Sequence, residues 1–209
     1  MRIAKDGLLF ILPALALAVV AWFLSLAALG LLLLLLGLAF VFFFRDPQRT
    51  PPPGEHLLVA PADGRVVRVD RLDHHPDLGG AAQRVSVFLS LTDVHVTRSP
   101  IAADVARVDY KPGTFFRADK DEASLHNESN TLVLAGGPVP LVVKQIVGVA
   151  ARRIKCFVKA GERVSRGQRI GLMYFGSRVE VLLPSGVGLR VTAGQRVKAG
   201  ESVIGEVPP

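Results

Sequence analysis

In "GLMYFGSRVEVLLP" (Gly171–Pro184), a Gly176-Ser177 pair stands between two apolar runs that would otherwise pair as strands. Glycine in a strand interior costs backbone entropy and packs nothing, so it marks a bend, a bulge or a close backbone approach. A serine directly after it can react with its own backbone. With Ser177 Oγ held against the Gly176 carbonyl, the hydroxyl can attack and carry the acyl group from nitrogen to oxygen, turning the amide into an ester. Glycine on the acyl side leaves the attack uncrowded, and a strained turn raises the amide toward the transition state. Loss of the Ser177 α-proton would then expel the Gly176 carboxylate, and the dehydroalanine left behind would hydrolyse to a pyruvoyl group and ammonia. The chain would end as two pieces, 1–176 and 177–209.

This reaction needs a base for Oγ and a group that orients the base. Of the five histidines, His56 lies in a proline-rich stretch, His74 and His75 in a polar turn and His126 in an irregular segment. His95 differs. Along "RVSVFLSLTDVHV", Val85, Val87, Leu89, Leu91, Asp93 and His95 share one alternating face, which puts His95 at or just past the end of a buried row. A satisfied core histidine has the same signature, and Asp63 in "PADG" equally suits a turn cap. Taken singly, Ser177, His95 and Asp63 do not specify a reaction.

The elements that must position them are strands. "GRVVRVDRL" (Gly64–Leu72), "RVSVFLSL" (Arg84–Leu91), "ADVARVDY" (Ala103–Tyr110), "TLVLAG" (Thr131–Gly136), "LVVKQIVG" (Leu141–Gly148) and "RIKCFV" (Arg153–Val158) alternate and are punctuated by Gly, Pro and Asp. Arg117–Asn130 lacks this pattern and reads as a loop or a short helix. "VKAGERVSRGQRIG" (Val158–Gly171) is echoed by "VTAGQRVKAGESVIG" (Val191–Gly205). The echo and "VAPADGRVV" (Val59–Val67) resemble the hammerhead turns of lipoyl and biotinyl carrier domains. That likeness implies an all-β, barrel-sandwich-hybrid-like domain with pseudo-symmetric halves, and offers a non-enzymatic alternative, a membrane-anchored adaptor. No Met-Lys or Asp-Lys hairpin of the carrier type lies between the halves; Gly176-Ser177 stands there instead.

No residue from Gly7 to Phe44 is charged. About 20 apolar residues span a bilayer as a helix, so this run suffices for nearly two crossings. A helical hairpin of roughly Gly7–Leu24 and Leu26–Phe44, turning near Ser25, keeps Arg2, Lys5, Arg45 and Arg49 on one side. A single tilted span and a cleaved signal peptide compete with it. The organisation expected is therefore a transmembrane hairpin (1–44), a proline-rich linker (45–56) and a β-rich domain (57–209). The net charge is +7, nearly all of it outside the apolar run. That charge suits anionic headgroups, whereas arginines scattered without interleaved aromatics do not suggest nucleic acid. One cysteine, Cys156, excludes an internal disulfide and fits a reducing compartment.

The set "FFFRDPQRTPP", "PADGRVV", "DVHVTRSP", "NESN", "ARRI", "GERVSRGQRIG" and "FGSRVEVLLP" resembles the short form of phosphatidylserine decarboxylase proenzymes, from about Val41 to Pro184. The family's self-cleaving motif is Phe-Gly-Ser-Arg-Val-Asp, which here is Phe175–Glu180. The resemblance implies that Ser177 becomes the pyruvoyl group, Gly176 the new carboxyl terminus, His95 the base and Asp63 its orienting acid. It also implies that the pyruvoyl ketone condenses with the substrate's amine and accepts the electrons released with carbon dioxide, so that no soluble cofactor or metal is needed. The expected activity is conversion of phosphatidylserine to phosphatidylethanolamine by a protein of the cytoplasmic membrane. Its domain would face the cytoplasm and its two cleaved chains would stay associated. Another serine phospholipid, such as an archaeal-type ether lipid, is an alternative substrate.

Two departures stand out. The long form's extra histidine is Thr92 here, so proton donation after decarboxylation falls to His95 acting twice. The family's Asn-Glu-Arg is Asn127-Glu128-Ser129. Substrate-holding candidates are Arg178, Arg152, Asn127 and Glu128, whereas Lys144 and Arg153 read better as solvated strand charges.

Overall fold

The computed structural model describes residues 2–118, 121–148 and 153–208. It divides into two compact units, Met1–Gln48 and Arg49–Pro209.

In the first unit the uncharged run forms two helices, α1 (Leu8–Phe23) and α2 (Ala27–Phe43). The chain reverses between them through Ser25, which adopts the left-handed φ of 62°. Small residues make close packing possible. Ile11, Ala14, Ala18 and Ala21 form the buried stripe of α1, and Gly30 and Gly37 that of α2, so the backbones can approach as small-residue helix pairs do. A methyl group on Gly37 would collide with Leu15. Arg2–Ile3 pairs antiparallel with Arg45–Asp46, which returns the chain to its starting end. The span Lys5–Phe23 is long and apolar enough to cross a membrane, whereas Ala27–Phe43 is apolar but shorter.

The second unit is mostly β. Its largest sheet has eight strands in the order Arg163–Val164, Ala103–Lys111, Ser129–Ala135, Leu141–Val147, Ser177–Pro184, Gly80–Leu89, Gly64–His75 and Arg196–Val197. All neighbours are antiparallel. Two three-stranded sheets complete it: Ile154–Cys156 with Arg169–Met173 and Val96–Arg98, and Gly188–Leu189 with Val203–Glu206 and Leu57–Val59. β-Branched alternation builds the main core, where Val85, Val87, Leu89, Val143, Val179, Val181 and Leu183 are fully buried on one face of the large sheet. Leu182, Val142 and Val133 pack on the opposite face. Ser177–Pro184 is thus covered on both sides as well as paired on both edges. The segment left open between loop and helix contains one short helix, α3 (Asp121–His126).

The sequence echo has a structural counterpart. The Gly161 N–H donates to Val105 O and the Val105 N–H to Glu162 O; in the second copy Gly194 donates to Val66 O and Val66 to Gln195 O. Gly167 and Gly200 likewise donate to Ser99 O and Ala60 O, and the two glycines lie against each other.

The unit boundary at Gln48/Arg49 places most of the proline-rich stretch with the β unit. Proline has no N–H, so this segment presents carbonyls without reciprocal donors. Arg166 supplies them, donating to Pro52 O at 2.6 Å, Leu57 O at 3.0 Å and Gly54 O. Arg49 meanwhile bridges Asp63 and Glu201, each at 2.9 Å.

Candidate active site

Two successive residues before Ser177 have left-handed backbones, Phe175 at φ 45° and Gly176 at φ 73°. Glycine accepts that conformation freely, but phenylalanine pays on the order of 1–2 kcal/mol. The strain lies one residue from the proposed scissile bond. Nothing crowds the space where a Gly176 side chain would point, so the backbone angle requires the glycine.

Ser177 is the first residue of the central strand, paired with Leu89 on one side and Val147 on the other. It is 0% exposed, and its Oγ makes no hydrogen bond among the described residues. A buried hydroxyl without a partner is costly. This hydroxyl lies directly after the strained turn at Phe175.

His95 is 1% exposed. Its Nδ1 lies 2.9 Å from the Asp93 carbonyl, which can only accept, so Nδ1 carries the hydrogen. That leaves Nε2 as the acceptor, and it receives the Gly176 N–H at 3.2 Å. The His95 carbonyl accepts from Met173 N–H at 3.1 Å, tying the histidine to the strand that leads into Tyr174–Gly176. His95 is therefore joined through its ring to Gly176, 81 positions away, and through its backbone to Met173. Asp93 holds the supporting loop: Oδ2 accepts from Ser90 N–H and Oγ–H at 2.9 and 2.6 Å, and Oδ1 pairs with Arg196.

Asp63 is buried; Oδ2 receives Arg49 at 2.9 Å and Oδ1 the Ala199 N–H at 2.8 Å. Arg178 lies on the sheet face opposite Ser177. Strand alternation sends Ser177, Val179 and Val181 toward the main core and Arg178, Glu180 and Leu182 to the other face. There Arg178 donates to Ser124 Oγ of α3 at 2.9 Å and lies 3.7 Å from Glu180. Asn127 clasps the backbone: Oδ1 accepts Phe116 N–H, and Nδ2 donates to Phe116 O and Val147 O, each at 2.7 Å. The Glu128 carbonyl accepts from Val147 N–H. Asn127 and Glu128 thus secure Val147, the strand partner of Ser177. Arg152 lies outside the described residues.

Sequence reasoning missed three contributors. Gly148 lies against the Gly176 carbonyl so closely that any Cβ there would fall well inside 3.0 Å of the oxygen. Asp93 supplies its backbone carbonyl, which no side-chain pattern reveals. Ser124 sits in the segment that had no periodic signal. On the core side, Asn130 donates to Gln145 and Gln145 to Thr97, each at 3.1 Å, a fully buried polar row beside the His95 strand. Lys144, read from sequence as a solvated charge, is half-buried and donates to Ser124 O at 2.6 Å. Burial pushes its amine below the usual lysine value, a shift that nearby Glu180 partly opposes.

Comparison with known proteins identifies the family. The sequence profile described as phosphatidylserine decarboxylase matches residues 36–205. A phosphatidylserine decarboxylase proenzyme of Syntrophus aciditrophicus is 41% identical over 205 residues, covering 97% of this chain and 96% of the relative. The proenzyme of Burkholderia mallei is 45% identical over 169 residues, covering 80% and 78%, and that of Paraburkholderia phytofirmans 41% over 207 residues, covering 98% and 97%. With a buried serine after a left-handed glycine, a histidine on that glycine and these matches over nearly its whole length, the chain belongs to the phosphatidylserine decarboxylase family.

Proposed function

We propose that this protein is a self-processing phosphatidylserine decarboxylase that cuts itself between Gly176 and Ser177 and forms phosphatidylethanolamine and carbon dioxide. One observation carries the reading: Nε2 of His95, its tautomer set by the Asp93 carbonyl, sits on the left-handed glycine whose carbonyl Ser177 must attack.

In this mechanism His95 exchanges the Gly176 N–H for the Ser177 hydroxyl and takes its proton as Oγ attacks the Gly176 carbonyl carbon. The C–N bond breaks, the proton passes from Nε2 to the departing nitrogen, and an ester links Gly176 to Ser177. Gly148 leaves the carbonyl oxygen room to move as the carbon becomes tetrahedral. Removal of the Ser177 α-proton expels the Gly176 carboxylate, and water then replaces nitrogen as ammonia leaves. Asp63 is assigned the role of orienting acid; Arg49 and Ala199 hold its carboxylate in place. The unpartnered Oγ fits a group that is consumed in forming a new one. The resulting pyruvoyl group supplies the electron sink for loss of carbon dioxide from the serine headgroup. His95, hydrogen-bonded to Gly176 in the uncut chain, is assigned to return a proton to the product.

The pieces 1–176 and 177–209 stay together in this reading, because Ser177–Pro184 is paired along both edges with strands of the larger piece. The repeated glycine hydrogen bonds of Val158–Gly171 and Val191–Gly205 support a lipoyl-like hammerhead pair. The apolar helices support a bilayer anchor that keeps the enzyme beside its lipid. Arg2, Lys5 and Arg45 gather at one end of the hairpin, which supports a cytoplasmic catalytic domain.

An intact-mass spectrum with and without borohydride tests the reading. Two chains meeting at Gly176/Ser177 are expected, the smaller without a free amine and heavier after reduction, with Ser177→Ala remaining whole. Cutting in Ser177→Ala, or an intact wild-type chain that still decarboxylates, would overturn it.

A further inference from the structure

The cluster behind the reactive serine bears on a problem that self-cleavage creates. Before the cut, Ser177 is held covalently by Gly176. Afterwards it is the first residue of a short chain, and as a pyruvoyl group it has no N–H to donate to either neighbouring strand. Strand ends fray when few contacts hold them. The site nevertheless requires the new terminus to stay in register with His95.

Arg178, the next residue, is placed to prevent fraying. Its side chain is 2% exposed and on the opposite face from the reacting group. Its guanidinium donates to Ser124 Oγ at 2.9 Å, and that hydroxyl donates to Glu180 Oε1 at 2.6 Å. Ser86 Oγ adds a contact to the same carboxylate oxygen at 3.3 Å, and Lys144 holds Ser124 O at 2.6 Å. Ser124, Ser86 and Lys144 belong to piece 1–176, whereas Arg178 and Glu180 belong to piece 177–209. The ion pair lies within piece 177–209, and the hydrogen bonds of Ser124 and Ser86 to it cross from one piece to the other.

We propose that the Arg178–Ser124–Glu180 clamp is a positioning device for the mature enzyme, anchoring the new end of chain 177–209 to α3 once the peptide bond is gone. The inference rests on the cleavage reading above. Before cleavage the clamp is redundant, because the bond to Gly176 already holds the strand; after cleavage it is the first side-chain anchor behind the pyruvoyl carbon. Buried hydrogen bonds to charged groups are the strong class, so losing this one will open the strand end about tenfold to a hundredfold more often.

The test compares wild type and Ser124→Ala, both cut, with the uncut Ser177→Ala and Ser124→Ala/Ser177→Ala proteins, after intact mass has established which chains are cut. Amide hydrogen exchange is read over residues 178–181. Ser124→Ala is expected to speed exchange about tenfold or more in the cut protein and by no more than about threefold in the uncut one. Ser124→Thr, which keeps the hydroxyl, should restore protection, and turnover should fall in kcat with KM unchanged. Equal acceleration in cut and uncut proteins, or none in either, would overturn the clamp while leaving cleavage intact. A Ser124→Ala chain that folds but does not cut would overturn it too, by showing that the cluster acts before the bond breaks. A wild-type chain whole at Gly176/Ser177 would overturn the cleavage reading and the clamp together.

Discussion

Gly148→Ala places a methyl group against the carbonyl that Ser177 must attack. The alanine Cβ would lie well under 3.0 Å from Gly176 O and 3.2 Å from the Ala118 Cβ. Gly148 does not have a left-handed backbone, so the penalty is steric alone. The carbonyl must retreat by about 1 Å to reach ordinary contact, and overpacking of this kind costs roughly 1–3 kcal/mol. If the displaced carbonyl loses its alignment with Oγ, that cost enters the barrier. At 1.36 kcal/mol per decade, self-cleavage would slow about 5- to 150-fold. The assay follows the uncut fraction of freshly synthesised protein by intact mass. Two comparisons separate barrier from stability. Gly148→Ala in the Ser177→Ala background reports the folding penalty without cleavage, and Gly137→Ala creates a similar clash with Ala102 O elsewhere in the unit. Cleavage of Gly148→Ala within twofold of wild type, or equal slowing by Gly137→Ala, would refute the argument that this approach governs the scissile carbonyl.

Three further outcomes follow from the same geometry. His95→Gln retains an amide that can hydrogen-bond Gly176 N–H but has no basic nitrogen, so the chain should fold with little change in melting temperature and stay uncut; wild-type processing would return His95 to a structural role. Asn127→Ala removes three hydrogen bonds at 2.7 Å and strands their buried backbone partners, which should cost about 2–4 kcal/mol in urea unfolding of the Ser177→Ala protein; a loss under about 0.5 kcal/mol would mean water replaces the clasp. The amine of Lys144, lowered chiefly by burial, makes folding pH-dependent. Between its lowered value and the ordinary 10.5 the unfolded chain binds more protons, so stability should rise with pH through that interval, and Lys144→Gln should flatten the rise.

Much of this molecule was legible in local pattern. Strand alternation marked the spans that became Gly64–His75, Gly80–Leu89, Ala103–Lys111 and Leu141–Val147, because period-2 burial is a local property of each segment. The echo of Val158–Gly171 in Val191–Gly205 was readable as a repeated glycine pattern, and the structure adds that Gly161, Gly167, Gly194 and Gly200 have left-handed backbones. The position of Gly176 was informative because glycine within an apolar strand pattern needs a backbone explanation, and its φ of 73° provides one. The Arg178 orientation was also available in principle, since adjacent residues of a strand face opposite ways. Closeness in sequence to Ser177 suggested a substrate contact that alternation argues against.

What the sequence by itself determined is the chemistry available: an apolar run able to make two helices, a set of alternating strands, and a Gly-Ser step that can turn an amide into an ester. What only the tertiary structure decided is which distant groups close on that step. That Asp93 offers His95 a carbonyl depends on a loop tied by Arg196. That Gly148 backs the Gly176 carbonyl depends on antiparallel pairing of Val147 with Ser177. That Ser124 meets Arg178 depends on α3 lying across the sheet's outer face. Each of these is a contact between residues far apart in the chain, set by strand order and register, and residue type alone does not encode which neighbour the folded backbone will supply.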